Sequence, residues 1–356
     1  MMKTTTGALA VLGMILSVAT ADAVTVVSDC SAAGPASVVN KITRLDLPGE
    51  DIVLQCALMA LPGSDQTRIN GASITVDGLN GGSVSSSGKG GQATALVATG
   101  SITIDQASII AANSNGNAII RAGGNVVVTS GSSISAGDRV EVSCSGPLCT
   151  IGIAAAALSG NEVRIEGDGD VTVSPATTIT TSCPRDVIRI VSTNGDVNVG
   201  GGQIGALGTI CCNAVQAVCS QNPNDPACPF SSGGTIVLND LQELGTFCAD
   251  CQQAPNIFKT CTEGDIVILA PQGNIDVSNA TLMSGEDLTL TARFDVAMQN
   301  ANISNCGRKK GVIVITGATC NVNNATILDD DPDPAPTLNC GVTNGTAALL
   351  GTCASN

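Results

Sequence analysis

Cysteines and carboxylates hold most of the chemical capacity of this chain. It has 16 Cys and 30 Asp+Glu in 356 residues, with no His. The cysteines are Cys30, Cys56, Cys144, Cys149, Cys183, Cys211, Cys212, Cys219, Cys228, Cys248, Cys251, Cys261, Cys306, Cys320, Cys340 and Cys353. An even number in an exported chain predicts disulfides, and spacing leaves their pairing open. Cys248-Ala-Asp-Cys251 has the spacing of half a four-thiolate metal site. The second half is missing, because adjacent residues such as Cys211 and Cys212 aim poorly at one ion. No metal and no cofactor is therefore expected.

Paired carboxylates can cleave glycosidic bonds. A Gly-spaced acidic cluster stands at Glu166-Gly-Asp168-Gly-Asp170. Acids spaced by Gly at a chain corner read more simply as a solvated turn. Asp329-Asp-Asp-Pro-Asp333 has the residue types of a calcium site but not the ligand spacing. The absence of His excludes Ser-His-Asp and Cys-His nucleophiles and His-ligated metals. With no Trp or Tyr, stacking on sugars or bases falls to Phe230, Phe247, Phe258 and Phe294. A formal net charge of −15 argues against a nucleic-acid partner. No catalytic residue is assigned, and the chain reads as a non-enzyme.

Residues 1–23 read as a secretory signal. Lys3 supplies the positive start, Ala8 to Val18 the short apolar run, and Ala21-Asp22-Ala23 the cleavage site. No later segment is apolar for the roughly 18 residues of a membrane span.

The elements that position these groups repeat. Ile102-Thr-Ile104, Val126-Val-Val128, Ile151-Gly-Ile153, Val171-Thr-Val173, Val197-Asn-Val199, Ile275-Asp-Val277, Val296-Ala-Met298 and Cys320-Asn-Val322 share one slot. Their steps are 24, 25, 20 and 26, then 21 and 24 after a gap of 78. A second series runs through Val140-Glu-Val142, Val163-Arg-Ile165, Ile188-Arg-Ile190, Ile266-Val-Ile268, Leu288-Thr-Leu290 and Ile313-Val-Ile315. A third runs through Ile109, Ile134, Ile179, Ile204, Leu282, Ile303 and Ile327. Period-2 alternation of Val, Ile and Thr marks strands with one buried face. Such short strands persist when each coil pairs with the coils above and below. Three strands per turn of about 24 residues predicts an all-β fold, a right-handed parallel β-helix of about nine or ten coils. At about 4.8 Å per coil the rod is about 45 Å long. A narrow coil is best filled by Val, Ile, Leu and Ala, which accounts for the scarcity of aromatics.

Aligned coils stack like residues. Asn279, Asn300 and Asn324 occupy one slot, and Gln106 matches it in an early coil. Two readings stay open, an amide ladder from coil to coil or a set of exposed turn residues.

Asn194-Gly-Asp-Val-Asn-Val199, Gly264-Asp-Ile-Val-Ile-Leu-Ala270 and Glu286-Asp-Leu-Thr-Leu-Thr-Ala292 carry a resemblance to a known group. The coils resemble the right-handed parallel β-helix superfamily, in the style of filamentous-haemagglutinin and autotransporter-passenger surface proteins. The resemblance implies the fold and a place at the cell surface. No polygalacturonase-like motif of the same superfamily is present.

The chain divides into a signal (1–23), an N-terminal cap (24–70), the β-helix (71–328), and an acidic loop with a Cys-containing tail (329–356). A Cys-rich insert at about 207–262 interrupts the helix. The gap has room for two ordinary coils plus a loop, and reads as a projecting, disulfide-stapled contact lobe. Asn279, Asn302, Asn324 and Asn344 begin N-x-S/T sequons. The expected function is that of a secreted structural or adhesive surface protein. Its sharper form assembles head-to-tail into an extracellular fibre. The alternative is a polysaccharide-binding or polysaccharide-cleaving protein. The expected partner is a second copy or a cell-surface or matrix component, with no nucleic acid and no membrane span.

Overall fold

Strictly alternating sequence becomes strictly alternating burial. In Arg139–Cys144, Glu162–Gly167 and Val187–Ser192 every second side chain is buried and the others face outward. The computed structural model describes residues 23–31, 34–62, 64–88, 90–181, 187–201, 203–205, 264–305, 311–329 and 335–351. Within them the chain is a parallel β-solenoid of about 10 turns of ~24 residues.

Each turn contributes three strands. First strands include Gly90–Ala98, Gly116–Ala122, Arg139–Cys144, Glu162–Gly167, Val187–Ser192, Asp265–Ala270 and Leu288–Ala292. Second strands include Ile102–Asp105, Val126–Val128, Ile151–Ile153, Val171–Val173, Val197–Asn198, Ile275–Asp276 and Asp295–Ala297. In Ile42–Leu54, Gln66–Asp77, Ile313–Asn321 and Thr337–Asn344 the first and second strands run together. The third strands form a separate sheet of eleven, from Ala57–Met59 to Ala348–Gly351.

Register stacks like on like. Leu45, Ile69, Leu96, Ile120, Val142, Ile165, Ile190, Ile268, Leu290 and Ile315 form one column of directly paired residues. Every one of them is 0% exposed. A second column runs Leu58, Val84, Ile109, Ile134, Leu158, Ile179 along the third strands. Burying each such side chain contributes about 1.5–3 kcal/mol. Parallel pairing supplies the register but needs its neighbours on both sides, so the stack stabilises collectively.

The solenoid extends past both ends of the 71–328 span. Ile42–Leu54 pairs in parallel with Gln66–Asp77, so coils begin inside residues 24–70. The beat is hidden there because the register slips between Leu47 and Asp51, around Gly49 at φ 85°. Beyond 328, Thr337–Asn344 and Ala348–Gly351 add a further coil. At the opposite end, Ser37–Val39 pairs antiparallel with the start of Ile42–Leu54. Its two-residue turn is Asn40-Lys41, with φ of 53° and 63°, as this hairpin type requires.

The coils on either side of the insert stack directly on each other. Val187–Val191 pairs directly with Asp265–Leu269, Val197 with Ile275, and Gln203 with Thr281. The coil before the gap thus sits against the coil after it, which corrects the expectation of room for two ordinary coils. Residues 206–263 themselves, including the proposed contact lobe, lie outside the described residues, as do residues 1–22 of the expected signal. Among the described residues, no helix is long and apolar enough to cross a membrane.

Candidate functional site

The corners of the coils gather the polar side chains. The corner before each second strand holds Ser101, Asn125, Asp170, Asp196 and Asn274 in successive or near-successive coils. Ser101 Oγ accepts the backbone N–H of Asn125 at 3.2 Å. Asn125 Oδ1 accepts that of Thr150 at 2.8 Å. Asp170 Oδ1 accepts that of Asp196 at 2.9 Å, and Asp196 Oδ1 that of Asn274 at 2.7 Å. Asn274 Oδ1 in turn accepts that of Asp295 at 3.0 Å. Each side chain therefore caps the same slot of the next coil. Capping satisfies backbone donors that the bend removes from the strand ladder. The sequence offered a signal for this column, a polar residue immediately before each second strand, which the strand alternation alone did not bring out.

The acidic cluster belongs to this scaffold. Glu166 accepts from Arg189 Nε at 3.1 Å. Asp168 accepts the backbone N–H of Leu148 at 2.8 Å and Asn194 Nδ2 at 2.7 Å. Asp170 holds Asp196, as above. All three carboxylates reach into a neighbouring coil. A second capping series stands at the start of the first strands. There Asp265 Oδ1 accepts from the backbone of Asp287 at 3.1 Å, and Asp287 Oδ1 from that of Val312 at 3.0 Å.

The outer face of the first strands carries an Arg/Glu network. Arg121 meets Glu141 at 2.7 Å, and Arg139 meets Glu162 at 2.6 Å. Glu162 also accepts from Arg164. The Glu141 hydrogen bond raises the Arg121 pKa above its ordinary value against a smaller opposing effect of burial. These pairs are part-exposed, so each contributes only about 0.2–1 kcal/mol.

Asn279, Asn300 and Asn324 stack coil over coil. Asn300 Nδ2 donates to Asn279 Oδ1 at 3.2 Å, and Asn324 Nδ2 to Asn300 Oδ1 at 3.4 Å. All three are exposed. They also have φ of 58°, 54° and 55°. The same slot, two residues before each third strand, holds Gly81, Gln106, Gly131, Ala155, Ala176 and Gly201, all at positive φ. The slot is a left-handed corner, and Asn and Gly are the residues that enter it at least cost. The backbone of the turn and the amide stack thus make the same demand on these positions.

Six of the sixteen cysteines are joined in the described residues. Cys30 pairs with Cys56, Cys144 with Cys149 and Cys320 with Cys340. Cys144–Cys149 closes a corner within one coil, whereas Cys320–Cys340 ties one coil to the next. Cys183, Cys211, Cys212, Cys219, Cys228, Cys248, Cys251, Cys261, Cys306 and Cys353 lie outside the described residues. Among the described residues no three His, Cys, Asp or Glu side chains are grouped to hold a metal ion. Asp329 is buried and its Oδ1 accepts from Asn305 Nδ2 at 3.0 Å, while Asp330 to Asp333 lie outside the described residues. Of the four Phe, Phe294 is described, 45% exposed, with the Arg293 guanidinium 5.2 Å from its ring centre.

No protein family, curated protein or solved structure matches this chain.

Proposed function

We propose that the chain is a secreted, non-enzymatic rod serving as a structural or adhesive component of a cell surface or extracellular matrix. The observation that carries this reading is the use made of Glu166, Asp168 and Asp170. These are the carboxylates that the sequence offers as a Gly-spaced cluster, and each is engaged in bonds to an adjacent coil. A general acid or base must exchange its proton with substrate. A carboxylate that holds backbone N–H groups in place stabilises the scaffold instead. Disulfides across and within coils support service in an oxidising space. The likeness of the coil sequences to bacterial surface β-helices supports the same placement.

Two measurements test the proposal. Impermeant biotinylation of intact producing cells should label the protein, and the purified protein should release no reducing ends from polysaccharides. Labelling only after lysis would overturn the surface role. Polysaccharide cleavage that is lost in Asp168→Asn or Asp170→Asn, with the fold intact by circular dichroism, would overturn the non-enzymatic one.

A further inference from the structure

The ends of the rod differ from its length. Of the eleven large apolar side chains exposed among the described residues, five are Val24, Val26, Val38, Val39 and Val342. They lie on Val24–Val27, Ser37–Val39 and Thr337–Asn344, strands of 4, 3 and 8 residues. Four of the five cluster on the two N-terminal strands, a grouping that marks a contact surface rather than scattered exposure, and Val342 stands on the last strand at the other end.

These three strands contain no Lys, Arg, Asp, Glu or Pro. Charge, Pro and bulges are the devices that keep sheet edges from pairing with other chains. Both end rungs are also held by disulfides. Cys30–Cys56 lies beside the first rung, and Cys320–Cys340 fastens Thr337–Asn344 to the preceding coil. Stapled edges resist fraying and stay presented.

The two edges are complementary by position. Val24–Val27 pairs with Asp51–Leu54, which opens the ladder of second strands. Val342–Asn344 pairs with Thr319–Asn321, which closes it. Among the described residues neither edge strand has a strand partner on its outer side. A second copy advanced along the axis meets Val342–Asn344 with its own Val24–Val27, in the same chain direction as the other rungs of the second-strand ladder.

We propose that the Val342–Asn344 edge of one copy pairs in parallel with the Val24–Val27 edge of the next. The contact is heterologous and does not close, so it builds an open filament. This rests on the extracellular structural reading above and names its partner as a second copy of the chain. The net charge of −15 does not oppose it strongly. Screening acts over about 8 Å at physiological salt, less than two rungs of about 4.8 Å, and the meeting rungs are uncharged.

Sedimentation velocity and electron microscopy of the purified mature protein test the pairing over a wide concentration range. Wild type should run as a series of multiples that lengthens with concentration. Val26→Lys and Val342→Lys should each run as single rods. Val127→Lys, at an apolar position 42% exposed along the rod's length, should assemble as wild type does. An equal mixture of the two end variants should give dimers and nothing longer, because each retains one intact end. Should an end variant fail to fold, wild-type amide exchange decides, with protection at Val24–Val27 and Val342–Asn344 rising with concentration. Single rods at every concentration for wild type, disruption by Val127→Lys, or no dimers in the mixture would each overturn the proposal. A non-assembling wild type leaves the surface role standing, since that is read on intact cells.

Discussion

The backbone N–H of Asn274 donates to Asp196 Oδ1 at 2.7 Å across 78 residues of sequence. Asn274 Nδ2 reaches the same oxygen at 3.1 Å. Residues far apart in the chain are thus neighbours in the corner column, and the column runs on as if the insert were absent. Replacing Asp196 by Ala removes the acceptor for both groups. The expected loss is about 1 kcal/mol, below the usual range for a charged hydrogen bond because the site is exposed. Asp196→Asn retains an acceptor and should lose less. Urea midpoints of the two variants check the order.

The direct pairing of Val187–Val191 with Asp265–Leu269 predicts that the insert is dispensable for folding. A variant with residues 207–262 replaced by a short Gly-containing turn should keep its β-sheet circular dichroism. Shortening a loop costs little by itself, so its melting temperature should stay within about 4 °C of wild type. Loss of cooperative unfolding would show that the insert is needed to hold the two coils together.

Gly131 occupies the left-handed corner slot at φ 81°. A Cβ there would meet nothing closer than Gln106 Cγ at 3.8 Å, so space is not the constraint. Gly131→Val should cost about 1–2 kcal/mol from backbone strain alone. Gly131→Asn should cost clearly less, as Asn279, Asn300 and Asn324 adopt the same conformation. Equal losses, measured by denaturant unfolding, would contradict the shared-slot account.

Asp77 caps the short turn Gly78–Asn80. Its carboxylate accepts from Asn80 Nδ2 at 2.6 Å and from Gln55 Nε2 at 3.0 Å. These bonds, the Asn80 side chain first, lower its pKa from the ordinary 3.8. A pKa lowered by folding stabilises above the unfolded value, and the stabilisation is lost as pH falls through the folded one. Carboxyl NMR should show Asp77 titrating below 3.8. Asp77→Asn should remove that part of the pH dependence: the variant should be less stable than wild type at neutral pH, and the difference should close as the pH falls below ~4.

Much of the architecture was legible because β-sheet burial has a period of 2. Val140-Glu-Val142 and Val163-Arg-Ile165 could only be strands with one buried face, and their common step implied stacking. The coils near residue 42 escaped notice because a register slip at Leu47 breaks the alternation. The Asn279 slot was visible as a repeat, but its left-handed backbone was not, since residue type only permits that conformation without requiring it.

The sequence by itself determined the strand pattern, the aliphatic filling and the turn residues, because each depends on neighbours a few positions away. Tertiary structure decided which polar groups serve the scaffold. Asp170 meets Asp196, Asp196 meets Asn274, and Cys320 meets Cys340 only once the coils are stacked. It also decided that the insert leaves the stack unbroken and that the uncharged valine edges stand at opposite ends. Those relations are set by register between coils, a long-range quantity that local spacing does not contain.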